Sequence, residues 1–285
     1  MRALVFGASG QIGLPLLQRL LAAQWEVVAV SREPRAEVPG VRWLRGDLAH
    51  CDGLPGAVDA IFSCGPLDHF ARWYAASRIE APRVLAFGST SAAVKAASGD
   101  ARERDLARRL REGEAGVLAS ARARGAAATL LRPTLVYGAG RDQTLARIAA
   151  FARRRQWMVL PAGATGLRQP VHVDDLAAAA MLACAANASH GQGYDLPGGE
   201  TLRYRDMVAR LLAAMRPAPR LLELPAPWFA AAMAGARLLG KAGGIGDAAI
   251  ERLREDLVFD AGAAMRDFGY APRAFDAAAA AAVPG

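Results

Sequence analysis

Residues 3–13, Ala-Leu-Val-Phe-Gly7-Ala8-Ser9-Gly10-Gln11-Ile12-Gly13, constrain the fold more than any other stretch of the chain. A short apolar run ends at Gly7, two further glycines follow at intervals of three, and an amphipathic pattern (Leu14, Leu16, Leu17, Leu20, Leu21) starts at once. The spacing predicts strand, tight turn and helix. Gly7 permits a sharp exit from the strand, Gly10 lets backbone N–H groups approach a pyrophosphate, and Gly13 lets the helix pack closely on the sheet. The positive end of the helix then faces the phosphates. On this reading Gly7, Ser9, Gly10, Gln11, Ile12 and Gly13 form a dinucleotide-binding loop; the plainer alternative is a structural turn.

The rest of the first half alternates short apolar runs with helical patterns, as a parallel sheet covered by helices on both faces requires. Strands are expected at 2–6, 26–30, 41–45, 60–64, 83–88 and 128–132, with helices at 11–23, 67–80 and 101–124 and a turn near 52–58. Beyond Pro133, helices near 142–155, 174–187 and 203–215 are broken by Gly/Pro-rich segments at 161–170 and 191–199. An apolar helix is expected at 228–240, as a lid or core helix or, less in keeping with its single charge, a membrane-surface helix. The alanine tail after Phe275 is expected to fray. The fold class is therefore α/β, a Rossmann-type doubly wound sheet.

Composition narrows the function classes. Hydrophobic residues make up 53% and charged residues 22% of the 285, and no uncharged apolar run reaches the ~18 residues of a membrane span. The chain enters a strand without a leader pattern, and Cys51, Cys64 and Cys184 form no metal spacing; both point to a cytoplasmic protein with free thiols and no metal. The formal charge of +8 is carried almost wholly by arginine, since Lys95 and Lys241 are the only lysines. Arg102, Arg104, Arg108, Arg109 and Arg111 alternate with acids, as on an exposed helix laced with i,i+4 pairs. Arg153-Arg154-Arg155 is a short cluster with Trp157 as a nearby aromatic, too little for a nucleic-acid surface; small anions are the better-fitting partners.

Further segments extend the pattern: Gly46-Asp47-Leu48 after the third strand, Gly88-Ser89-Thr90-Ser91 after the fifth, Leu131-Arg132-Pro133-Thr134-Leu135-Val136-Tyr137-Gly138 in and after the sixth, then Pro170-Val171-His172-Val173-Asp174-Asp175. In this order, and with Gly-x-x-Gly-x-x-Gly at the start, the chain resembles the extended, epimerase/dehydratase-like branch of the short-chain dehydrogenase/reductase superfamily over residues 1 to about 215. The resemblance implies a dinucleotide-binding domain over 1–165, with 170–195 returning to it, and a small substrate-binding subdomain mainly in 196–285. It implies adenine contacts from Asp47 and Leu48, a passage under the ribose and pyrophosphate at Cys64-Gly65-Pro66, and nicotinamide contacts from the backbone between Pro133 and Val136. Ser91, Arg168 and His172 fall on its substrate side, Arg168 resembling an arginine that contacts nucleotide-sugar phosphates. His172 has a structural alternative at the strand-to-helix junction, where Asp174 would cap the helix. Family dimers often pair two long helices, here about 101–124 and 142–155, but these faces are rich in arginine, so the resemblance leaves a homodimer and a monomer both open.

An acid at the end of the second strand would hold the ribose hydroxyls of NAD, whereas a small residue with arginine suits the 2′-phosphate of NADP. Here Ser31-Arg32 stands at that point, with Glu33 one residue later. The expected cofactor is NADP, with NAD as the alternative.

Redox members of the superfamily use a tyrosine and, four residues on, a lysine that lowers the phenol pKa. Ser91 precedes Lys95 by four and Arg237 precedes Lys241, so the pair is absent. Counting back from Glu114, which resembles the acid that often follows the lysine, puts Leu110 and Leu106 in its place. Three readings follow. The chain is an atypical oxidoreductase or epimerase acting on a nucleotide sugar or similar small anion, using Thr90 with Tyr137, Glu114, Glu112 or His172. It is an NADP-binding sensor or assembly protein without turnover. Or it is a nucleic-acid-associated member with a vestigial site.

Overall fold

The computed structural model describes residues 1–138, 140, 142, 144–225, 227–231, 235 and 251–282. They fall into two compact units: Met1–Thr134 with Val173–Pro197 and Phe259–Pro272, and Leu135–His172 with Gly198–Val258 and Arg273–Gly285. The sequence had put the first division near residue 165, with 170–195 returning; the chain leaves the first unit at Thr134 and returns to it over Val173–Pro197. Among the described residues no helix is long and apolar enough to cross a membrane.

The first unit is built in chain order from β1 (Arg2–Phe6), α1 (Gly13–Ala22), β2 (Glu26–Ser31), β3 (Val41–Arg45), β4 (Ala60–Ser63), α2 (Leu67–Ala76), β5 (Arg83–Phe87), α3 (Ser91–Val94), α4 (Ala101–Ala123) and β6 (Ala127–Pro133). The second unit takes up the chain with β7 (Val136–Tyr137), α5 (Leu145–Arg155), β8 (Trp157–Pro161), β9 (Leu167–Arg168) and β10 (Val171–His172). The chain returns to the first unit for α6 (Val173–Ala185) and β11 (Gly193–Leu196), and to the second for β12 (Leu202–Arg203), α7 (Tyr204–Ala213) and β13 (Arg220–Leu224). Two short helices close the described chain, α8 (Gly262–Phe268) in the first unit and α9 (Ala277–Ala281) in the second.

All seven strands of the first unit's sheet run parallel, in the order β11-β6-β5-β4-β1-β2-β3. The order reverses between β1 and β4, and a ligand binds such a sheet in the crevice at the carboxyl ends of the strands there. One face is filled by Phe6, Ile61, Phe70, Tyr74, Val84, Val117 and Leu130, with Leu48 and Leu110 packed against it. Continuous apolar strands such as Val27-Val28-Ala29-Val30 are buried on both sides, as a helix-covered parallel sheet demands.

Helix ends differ from the periodicity where local chemistry intervenes. α1 starts at Gly13, because Gly10 is tied back to Gly7 by a 2.9 Å bond between its N–H and the Gly7 carbonyl. α4 starts where the Asp100 carboxylate accepts from the Arg102 N–H, and α5 ends where Gln156 turns left-handed at φ 62°. Asp174, expected as a cap, lies inside the first turn of α6, which begins one residue earlier. The 191–199 break holds a strand: β11 extends the sheet beyond β6, Tyr194 beside Leu131.

In the second unit, Tyr137, Leu145, Ala149, Leu160, Met207, Leu211 and Phe275 share one core. The alanine tail is docked there: Asp276 caps the N–H groups of Ala278 and Ala279, and Ala280 and Ala281 are buried. Of the expected 228–240 helix, residues 232–234 and 236–240 lie outside the described residues.

Candidate functional site

The Gly-rich turn sits at the switch point, between the ends of β1 and β4. Gly7 has φ 70°, and a Cβ there would stand 2.8 Å from the Cys64 carbonyl carbon, so β1 can leave the sheet here only without a side chain. At Gly13 a Cβ would meet the Gly7 carbonyl oxygen at 2.0 Å; the first turn of α1 rests on the loop backbone itself. Gly10 is different. Its Cβ would meet only the Gly7 oxygen, at 3.1 Å, so its want of a side chain serves the space outside the loop more than the packing within it. α1 has no side-chain cap and no acid in its first turn, so no protein carboxylate opposes an anion at its positive end. The Gln11 Oε1 is buried without a hydrogen-bond partner, and Ile12 is buried beneath the turn. A cradle of bare backbone at a helix N-terminus fits a dinucleotide pyrophosphate.

At the end of β2, Ser31 is buried and its Oγ accepts from the Glu33 N–H and from Arg35 Nε, each at 3.3 Å. Arg35 also lies 3.7 Å from Glu33. The acid that complicated the sequence reading is thus engaged by a cation, while the exposed Arg32 guanidinium enters no hydrogen bond or ion pair among the described residues. Asp47 is exposed, and its Oδ1 accepts from the N–H groups of His50 (3.0 Å) and Ala49 (2.8 Å). These bonds, with the Arg32 charge, hold its carboxyl below the usual range. Leu48 leans against Gly65, 3.4 Å from where a Cβ would stand. Desolvation pushes the Cys64 thiol up to about 12, which makes it an inert lining residue. Pro66 precedes α2 in extended conformation.

The end of β5 approaches β6. Thr90 is buried, and both its N–H and its hydroxyl reach the Pro133 carbonyl at 3.2 Å. That hydroxyl donates to backbone, so toward a ligand it offers lone pairs only. Ser91 opens α3, its N–H bonded to Ser89 Oγ. Glu114 is buried and held bidentate by Arg132, at 2.8 Å to Nε and 2.7 Å to Nη2. Asp195 on β11 completes the cluster 3.8 Å from Arg132. The arrangement fastens α4 to β6 and β11 through a bidentate ion pair. Leu110 packs on the sheet core.

In the second unit, β7 and β10 pair in parallel, setting Val136 beside Val171 and Tyr137 beside His172. Tyr137 is fully buried; its ring meets His172 and Phe275 edge-on, each at 5.1 Å, and its hydroxyl accepts from the Asp276 N–H at 2.9 Å. His172 is buried behind it, so close to Gly138 that a Cβ there would overlap the ring. Arg168 is buried too. It donates to the carbonyls of Leu167 and Glu255, both at 2.7 Å, and to that of Arg252, and it stands 5.6 Å over the Tyr204 ring. It therefore clasps the 252–255 segment. Tyr137, His172 and Arg168 are each engaged within their own unit.

The partners of these residues were not foreseen from the sequence: Arg132 for Glu114, Asp276 for Tyr137, the 252–255 carbonyls for Arg168. Only the first carried a signal, the single arginine of the β6 run, and nothing local tied it to α4.

Residues 72–196 match the model of the NAD dependent epimerase/dehydratase family. A 2-alkyl-3-oxoalkanoate reductase of Stenotrophomonas maltophilia is 29% identical over 258 residues, 78% of this chain and 77% of that protein. The mitochondrial NADH dehydrogenase [ubiquinone] 1 alpha subcomplex subunit 9 of Arabidopsis thaliana is 32% identical over 111 residues, 39% of this chain and 27% of that protein. In structure, the chain is similar to the UDP-glucuronic acid 4-epimerase of Bacillus cereus in complex with NAD, with a TM-score of 0.72 at 13% identity over 99% of this chain and 97% of that one. The family match thus lies in residues 72–196, and over nearly its whole length the chain shares the fold of the epimerase structure.

Proposed function

We propose that the chain is an NADP-dependent oxidoreductase or epimerase of atypical design, acting on a small anionic substrate. The observation that carries this reading is the bare-backbone cradle at the start of α1 combined with an unpaired Arg32 beside a buried Ser31. A guanidinium in no hydrogen bond or ion pair among the described residues is available to hold a ribose phosphate bidentate, and Arg35 partly offsets the charge of Glu33. A bound nicotinamide supplies a hydride donor and acceptor. Around it, Gly7 to Gly13 hold the pyrophosphate, the Asp47 loop and Leu48 border the adenine, and Thr90 orients a reacting oxygen through its lone pairs.

The proton must come from elsewhere than in the rest of the family. No lysine follows a tyrosine by four, Glu114 is tied to Arg132, and Tyr137 and His172 are buried. These same observations favour a second reading, in which the dinucleotide is bound without turnover.

The names of two similar proteins support this substrate class: a 2-alkyl-3-oxoalkanoate and a UDP-glucuronic acid are both carboxylates bearing a carbonyl or hydroxyl open to hydride chemistry. The test is single-turnover oxidation of bound NADPH against panels of UDP-sugars and 2-alkyl-3-oxo acids, wild type beside Thr90→Val. Turnover that falls with Thr90→Val supports the enzyme. Tight NADPH binding with no turnover on either panel transfers the assignment to a binding-only role.

A further inference from the structure

α5, β8 and β13 of the second unit present an exposed face that the dinucleotide chemistry does not use. Phe151 on α5 is 42% exposed and meets Trp157, 40% exposed, edge to face at 5.6 Å. The parallel register of β8 and β13 sets Arg220 beside Trp157 and Leu222 beside Val159. Leu221 and Met158 turn inward to the core of the unit, so the alternation places Leu222, 46% exposed, on the outer face with Arg220. Arg147, Phe151 and Arg154 follow one another at i, i+4 and i+7 along α5, and Arg155 adjoins them. Arg147, Arg154, Arg155 and Arg220 are exposed and their side chains enter no hydrogen bond or ion pair among the described residues. No Asp or Glu occurs between Asp142 and Asp174. Four residues past β13, Trp228 is 70% exposed.

We propose that this face binds the surface of an anionic phospholipid bilayer, Phe151, Trp157 and Leu222 entering the headgroup boundary and the four arginines meeting lipid phosphates. Aromatic and aliphatic side chains ringed by unpaired cations are the composition of an interfacial contact. A second copy of the chain fits poorly, because the two arginine fringes would repel each other. Nucleic acid fits less well than lipid: Phe151 and Trp157 are packed edge to face on each other, and Leu222 offers a base no π-face, whereas hydrocarbon accommodates all three.

The test is co-sedimentation of the full chain with phosphatidylcholine vesicles, with and without phosphatidylglycerol. Binding to the anionic vesicles only, weakening with salt, is expected. Each arginine contributes about fivefold to partitioning near an anionic surface, so Arg154→Gln with Arg155→Gln should lower it about 25-fold. Removing equal charge from α4 by Arg102→Gln with Arg111→Gln should change it less than about twofold. Leu222→Asp, on an exposed position, should abolish it with the melting temperature unchanged. Equal losses from both arginine pairs would reduce the effect to bulk charge and overturn the proposal. So would absence of vesicle binding, whether accompanied by tight binding of a single-stranded oligonucleotide or by a dimer that Leu222→Asp dissolves.

Discussion

Replacing Gly10 and Gly13 separately by alanine distinguishes a binding loop from a structural turn, because the two added methyl groups meet different things. At Gly13 the new Cβ lies 2.0 Å from the Gly7 oxygen and 2.7 Å from Ala8 Cα. Both are backbone atoms, and relief to an ordinary contact near 3.4 Å requires the first turn of α1 to move by more than an ångström. That helix buries Leu16, Leu17 and Leu20, so the cost should lie at or above the top of the overpacking range, about 3 kcal/mol. It would lower the melting temperature by about 6 °C or more. At Gly10 the only close atom is the Gly7 oxygen at 3.1 Å, relieved by a few tenths of an ångström, so stability should change by about 1 kcal/mol or less. The same methyl group occupies the approach to the pyrophosphate. Losing two charge-assisted bonds, at about 1.5 kcal/mol or more each, weakens dinucleotide binding on the order of 100-fold. Thermal melts give the first quantity and calorimetric titration with NADPH the second. A Gly10→Ala protein that binds like wild type refutes the pyrophosphate cradle, and a Gly13→Ala protein as stable as wild type refutes the close packing of helix on loop.

Arg32→Ala should weaken NADP by about 1–3 kcal/mol and leave NAD unchanged, read from the two dissociation constants at fixed salt. Glu114→Ala strips Arg132 of its bidentate partner and should destabilise by about 2–4 kcal/mol in chemical denaturation, since Arg132 is itself partly exposed. Tyr137→Phe removes the acceptor of the Asp276 N–H and should cost about 1 kcal/mol, with amide exchange of α9 accelerated before that of the sheet. Burial raises the Asp195 carboxyl above its ordinary value, Arg132 opposing and Glu114 adding to the rise. A raised carboxyl contributes stability below its unfolded pKa and loses it as pH rises through the folded one. Asp195→Asn should therefore raise the melting temperature above that window relative to wild type and leave it unchanged below; a fall at neutral pH would mean that the Arg132 attraction outweighs desolvation.

The β1–β6 alternation and the switch-point loop were legible because each is local: apolar strands of four to seven residues, a glycine turn, and helices with their caps close by in sequence. β11 was not, because Gly193-Tyr-Asp-Leu196 is short and lies between turn residues, and only its register beside β6 makes it a strand. β8 and β13 pair across some sixty residues, which no periodicity reports. The tail misled for a different reason: alanine's propensity is neutral about docking, while the Asp276 cap and a buried seat for Ala280 and Ala281 decide it. At the site, residue types were legible and their engagement was not. Glu114, Tyr137 and Arg168 read as free chemistry in the sequence because their partners lie 18, 139 and 84 residues away.

The proposed function stands on the Gly7–Gly13 turn and Arg32 together holding NADP. Calorimetric titration of the folded chain with NADP and with NAD decides it. Saturable binding at one site per chain, tighter for NADP, is expected. A folded chain that binds neither dinucleotide, or binds NAD more tightly, would contradict it.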